Sequence, residues 1–141
     1  MEVTTKMEDY LECIYLLVNK KGFASTTEIA EMLEVHPSTA SRMIKKLDNQ
    51  GLITHEPYRG MTLTEDGAEV GARISSNHLL LEEFLQLLGI DDERVIDEDI
   101  EGIEHHLSNS TIKAVEDLVA FFQAHPDIRA EFENFQSDQS E

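Results

Sequence analysis

Residues 100–106, Ile-Glu-Gly-Ile-Glu-His-His, concentrate metal-ligating chemistry in one short run. Glu101 and Glu104 are three apart and Glu101 and His105 four apart, so on a helix the three side chains share one face. Two carboxylates and an imidazole held that closely repel one another and lose hydration unless a cation sits among them. The plain alternative is a surface helix with incidental polar residues. The run is not HExxH, so a zinc protease has no support.

One helix supplies only part of a coordination sphere. His78 is the imidazole available from a neighbouring helix, and Asp9 and Glu12, three apart in MEDYLE (7–12), can complete the set. Acidic residues near a helix start also simply complement the helix dipole. All these donors are oxygen or imidazole nitrogen, which suits hard or borderline ions such as Mn²⁺ rather than Cu⁺ or an iron–sulfur cluster. Zn²⁺ remains a competitor. Five or more donors favour a higher-coordinate ion, or a pair sharing carboxylates. The single cysteine, Cys13, excludes an internal disulfide and a Cys-rich zinc site, and reads as a core residue. His55 and His125 read as surface histidines, and His106 as a structural or supporting group.

The elements that must position these residues are mostly helical. Met7, Tyr10, Leu11, Ile14, Tyr15, Leu17 and Val18 recur at helical spacing, and Gly22 closes that helix. Ser25-Thr-Thr-Glu28 fits a capping box ahead of a short helix to Leu33. After Glu34-Val35-His36, Pro37 pre-sets a second helix to about residue 50, ended by Gly51. Helix, brief turn and helix with a small-polar start and a basic flank make a helix-turn-helix. Leu52–Leu63 then changes to strand character around the tip Pro57-Tyr58-Arg59-Gly60, a hairpin that completes a winged helix. Ser38, Thr39, Ser41 and Arg42 are placed to read base edges, with Pro37 presetting their turn. Lys45, Lys46, Arg59 and Tyr58 are placed to hold phosphates. His36 shares this location and reads equally well as a turn residue.

Residues 65–88 predict a long helix with an apolar surface too wide for a lone helix, which implies packing or dimerisation. Further helices are predicted from Asp91 or Asp92 through Leu107, from Ser110, and after Pro126, with a frayed tail. The division expected is 1–70, a winged-helix DNA-binding domain, and 71–141, a helical dimerisation and metal-binding domain. The fold class is mainly α: a winged helix-turn-helix with a small β-hairpin wing, then an all-helical dimerisation domain.

The whole chain of 141 residues carries a formal charge of −18, which at first excludes DNA. Its distribution reverses that reading. Residues 37–60 are net +2, residues 1–36 net −4 and residues 61–141 net −16. A locally basic contact element is joined to an acidic half suited to cations. No apolar run of about 18 residues suggests a spanning helix, and the first residues show no apolar leader, so a cytoplasmic location is expected.

In this order, MEDYLE (7–12), AEMLEVHPSTASRMIKKLDNQGLI (30–53), YRGMTLTEDG (58–67), HLLLEEFL (78–85) and IEGIEHHLS (100–108) resemble the manganese-responsive members of the diphtheria-toxin-repressor family. The resemblance spans nearly the whole chain. It implies a non-enzymatic repressor of manganese uptake genes, a homodimer on palindromic operator DNA, with no catalytic residues and no membrane partner. It implies a binuclear Mn²⁺ site on Asp9, Glu12, His78, Glu101, Glu104 and His105. Iron-responsive relatives carry cysteine where this chain has Glu104, which points to manganese. Two rivals remain: a di-metal enzyme in a helical bundle, and a metal-independent winged-helix regulator. The first departs from the usual Glu-x-x-His pattern, since Glu101 and His105 are four apart.

Overall fold

A computed structural model describes residues 2–56 and 58–140; Pro57, expected at the hairpin tip, lies outside the described residues. The chain divides into two compact units, Met1–Ser76 and Asn77–Glu141.

In the first unit, α1 (Thr5–Lys21) is capped by the Thr4 hydroxyl, which accepts from the Met7 N–H, and ends at Gly22 in the left-handed region (φ 91°). α2 (Thr26–Leu33) starts with the full capping box: the Ser25 side chain accepts from the Glu28 N–H and the Glu28 carboxylate accepts from the Ser25 N–H. The Lys21 ammonium beside Glu28, reinforced by Ser25, holds that carboxyl below its usual range. α2 ends on Glu34 at φ 55°, and this left-handed residue makes the turn into α3 (Pro37–Asn49).

β1 (Ile53–Glu56) and β2 (Gly60–Leu63) pair antiparallel, with Ile53 opposite Leu63 and Glu56 opposite Gly60. The wing root is tied to the preceding helices by a bridge that alternation alone does not predict. Ala24 and Met61 exchange both backbone hydrogen bonds, each 2.8 Å. Leu11, Ile14, Ala24, Ile29, Ala40, Leu47 and Met61 form the buried core beneath these elements. Its apolar periodicities place α1, α2 and α3 around one centre.

Cys13 belongs to this core, with its sulfur 3.7 Å from that of Met32. Burial pushes its thiol up to about 11, and the nearby Glu12 and Glu28 carboxylates add to the shift. The thiolate is the reactive form. The native chain is therefore expected to resist alkylation at pH 8, and the unfolded chain in denaturant to react readily. A thiol-labelling time course with and without urea checks this; equal rates would contradict the burial.

α4 (Glu65–Leu87) begins in the first unit and continues into the second. The second unit adds α5 (Glu93–Ile103), α6 (Asn109–Ala124) and α7 (Pro126–Gln139). Leu81, Leu85, Ile96 and Ile100 form its core, with Phe84, Ile90 and Leu107 packed against it. Phe122 and Phe132 join α6 to α7, and the Gln136 amide donates to the Leu88 carbonyl at 2.6 Å. α7 runs on to Gln139, so the expected fraying is not seen over the described residues. Leu79, Leu118, Phe121 and Phe135 remain exposed, a large apolar surface for a unit of this size. Among the described residues no helix is long and apolar enough to cross a membrane.

Candidate metal centre and nucleic-acid interface

In the second unit α5 stops earlier than the apolar spacing predicts. It ends at Ile103, with Glu104 as its C-cap, and residues 104–106 form a turn. The Glu104 N–H still reaches the Ile100 carbonyl at 2.8 Å, whereas the His106 N–H bonds Ile103 at 3.0 Å, a tightened i−3 contact. Glu101 therefore projects from the last helical turn, and Glu104 and His105 from the turn beyond. The three still offer ligand atoms within 4.8 Å of one another.

Glu104 is the centre of this group. Its side chain is 1 % exposed, and so is that of His105. One carboxylate oxygen lies 3.0 Å from His78 Nδ1 and the other 3.4 Å from His105 Nε2. His78 comes from α4, where its Nε2 lies 3.9 Å from Glu82. A buried carboxylate is costly unless compensated by positive charge and hydrogen bonds. Here one lies between two imidazoles, which fall in separate donor groups that have Glu104 in common. The donors are oxygen and nitrogen with no sulfur, so they fit a hard or borderline divalent ion.

In the first unit, Asp9 and Glu12 lie three apart on α1, both half-buried. α1 is held firmly against the start of α4. The Arg73 guanidinium donates to the Glu8 carboxylate at 2.7 Å, and a Cβ on Gly71 would fall 2.8 Å from the Leu11 carbonyl oxygen.

α3 presents Pro37, Ser38, Thr39, Ser41, Arg42, Lys45 and Lys46 as an exposed face, with Ala40, Ile44 and Leu47 buried behind it. His36 is the N-cap of this helix. Its Nδ1 accepts from the Ser38 N–H at 3.1 Å and lies 2.8 Å from the Ser38 hydroxyl. Its local role is therefore to fix the first turn of α3. Tyr58 and Arg59 are exposed at the wing tip, Tyr58 with φ 65°. His55 is exposed and pairs with Asp48 at 3.3 Å, and the exposed His125 stacks on Phe121.

The comparisons with known proteins divide the chain by the same two tasks. Residues 2–61 match the family described as "Iron dependent repressor, N-terminal DNA binding domain". Residues 64–133 match "Iron dependent repressor, metal binding and dimerisation domain". The architecture is thus a winged-helix DNA-binding region followed by an all-helical metal-binding and dimerisation region. The chain is 48% identical over 125 residues to the HTH-type transcriptional regulator MntR of Lysinibacillus sphaericus, covering 89% of each. It is 47% identical over 120 residues to MntR of Bacillus subtilis, covering 85% of this chain and 84% of that one. It therefore belongs to the MntR/DtxR family of metal-dependent transcriptional regulators, DNA-binding repressors rather than enzymes.

Among solved structures, T. acidophilum IdeR superposes with TM-score 0.72 at 29% identity, covering 85% of this chain. A manganese-dependent transcriptional repressor in complex with manganese superposes with TM-score 0.69 at 34% identity, covering 81% of this chain. The chain spans about half the length of these two structures, 55% and 52%.

Proposed function

We propose that this chain is a manganese-responsive repressor of manganese uptake genes. Asp9, Glu12, His78, Glu101, Glu104 and His105 hold two Mn²⁺ ions per subunit and thereby tie the DNA-binding domain to the dimerisation domain. The observation that carries the reading is the buried Glu104 carboxylate set between two imidazoles, with no cysteine in its donor groups among the described residues. Solved relatives described as a manganese regulator and as a manganese-dependent transcriptional repressor support the choice of ion.

The working form is a cytoplasmic homodimer on palindromic duplex DNA, using the exposed apolar residues of the second unit as its interface. Ser38, Thr39, Ser41 and Arg42 read base edges, on a helix preset by Pro37. Lys45, Lys46, Tyr58 and Arg59 hold the backbone. Successive half-sites require recognition helices roughly 34–36 Å apart, and metal selects that spacing. A second contribution is charge: each divalent ion offsets part of the −18 that opposes approach to DNA.

Metal and DNA affinities must raise each other by the same factor, of order 5–150-fold for ordinary coupling energies. Operator affinity measured with and without Mn²⁺ is expected to differ by at least the lower figure. Equal affinities would sink the switch. Ca²⁺ that fills the site without raising DNA affinity would separate geometry from charge alone.

A further inference from the structure

α3 is flanked by two clefts, one of mixed charge and one cationic. On the wing side, the cleft lined by Ser41, Lys45 and His55 also contains Asp48, which pairs with His55. On the α1 side a cleft of about 320 Å³ is lined by Lys6, Thr39, Arg42 and Lys46, with Tyr10 and Met43 among its apolar lining. It has no carboxylate in its lining.

Thr39, Arg42, Met43 and Lys46 follow i, i+3, i+4, i+7 spacing, so they form one strip along α3. Lys6 faces that strip from the first turn of α1. None of Lys6, Arg42 and Lys46 makes an ion pair with a carboxylate among the described residues. In the same chain Lys21, Arg73, Arg94, Lys113 and Arg129 all do. Three cations gathered without a counter-charge, in a chain with 29 acidic residues, are held ready for an external anion.

We infer that the Lys6–Lys46 end of this cleft seats one phosphodiester of the DNA backbone, with Lys6 of α1 as a phosphate contact outside the helix-turn-helix and wing and with Thr39 and Arg42 left to the base edges. The inference rests on the DNA-binding reading above and adds a site to it. An apolar lining within a cationic rim matches the apolar sugar face and anionic phosphate of one nucleotide unit. Lys6 also precedes Asp9 by three residues on the same helix. The helix that bears the first metal ligands would then touch DNA directly.

The test is the salt dependence of duplex affinity at saturating Mn²⁺. Each neutralised phosphate contributes about 0.9 to the slope of log affinity against log salt. Lys6→Gln is expected to lower that slope by about 0.9 and to weaken operator and unrelated duplexes alike, with Mn²⁺ titration of the free protein unchanged. Lys6→Arg should restore the slope, and Lys20→Gln, in the last turn of α1, should leave it unaltered. An unchanged slope in Lys6→Gln overturns the cleft assignment while the wild-type Mn²⁺ response still stands. A wild-type chain that binds no duplex at any Mn²⁺ concentration overturns both.

Discussion

A Glu104→Gln chain is expected to fold normally and to lose Mn²⁺-dependent DNA binding. The amide has nearly the shape of the carboxylate and can keep one hydrogen bond to His78 Nδ1, now at 3.0 Å. It cannot present two anionic oxygens, one toward His78 and one toward His105. Even groups that only support metal ligands cost 10–100-fold in affinity when removed, so loss of a carboxylate proposed to bind the metal itself should cost about 100-fold or more. Calorimetric Mn²⁺ titration reads the site, a DNA-binding isotherm reads the switch, and thermal unfolding without metal reads the fold. Wild-type Mn²⁺ affinity in the variant would remove Glu104 from the site. Loss of folding without metal would mean that the carboxylate is structural.

Gly60→Ala should produce a large loss of stability. Gly60 has φ 129°, a region that L side chains rarely adopt, and an added Cβ would lie 2.1 Å from the Ala24 carbonyl oxygen. That oxygen cannot move freely, because it accepts the Met61 N–H in the bridge that roots the wing. Backbone strain of about 1–3 kcal/mol and overpacking of similar size should sum to about 2–6 kcal/mol. Gly22→Ala provides the control: φ is also positive, at 91°, but the added carbon meets nothing within 4 Å. Its cost should be about 1 kcal/mol, the conformational part alone. Urea unfolding of the two variants checks the contrast. Equal losses would show that the close approach of Gly60 to Ala24 carries no energy.

Much of this architecture is local chemistry and so is legible along the chain. The capping box at Ser25, the proline start of α3, the glycine stop at Gly22 and the apolar repeat of α1 each depend on residues within a turn or two. The basic patch in an acidic chain is legible for the same reason, since charge can be divided by segment. The end of α5 is less so. Ile96, Ile100, Ile103 and Leu107 keep helical spacing, yet the helix closes at Ile103 and Glu104 becomes its cap. Periodicity reports which side chains seek the core, and a turn can satisfy that demand as well as another helical turn.

Residue type and order alone pointed to candidate metal donors of oxygen and nitrogen without sulfur, a helix-turn-helix with a wing, and an acidic partner half. The tertiary structure decided which of those groups meet. It buried Glu104 between His78 and His105, which are 26 and 1 residues away along the chain. It paired Ala24 with Met61 and gathered Lys6 with Arg42 and Lys46 around one cleft. These pairings depend on how α1, the wing and α3 close around the core of the first unit, and on how α4 and α5 close around that of the second. That closure is long-range, and the spacing of residues within one helix does not encode it.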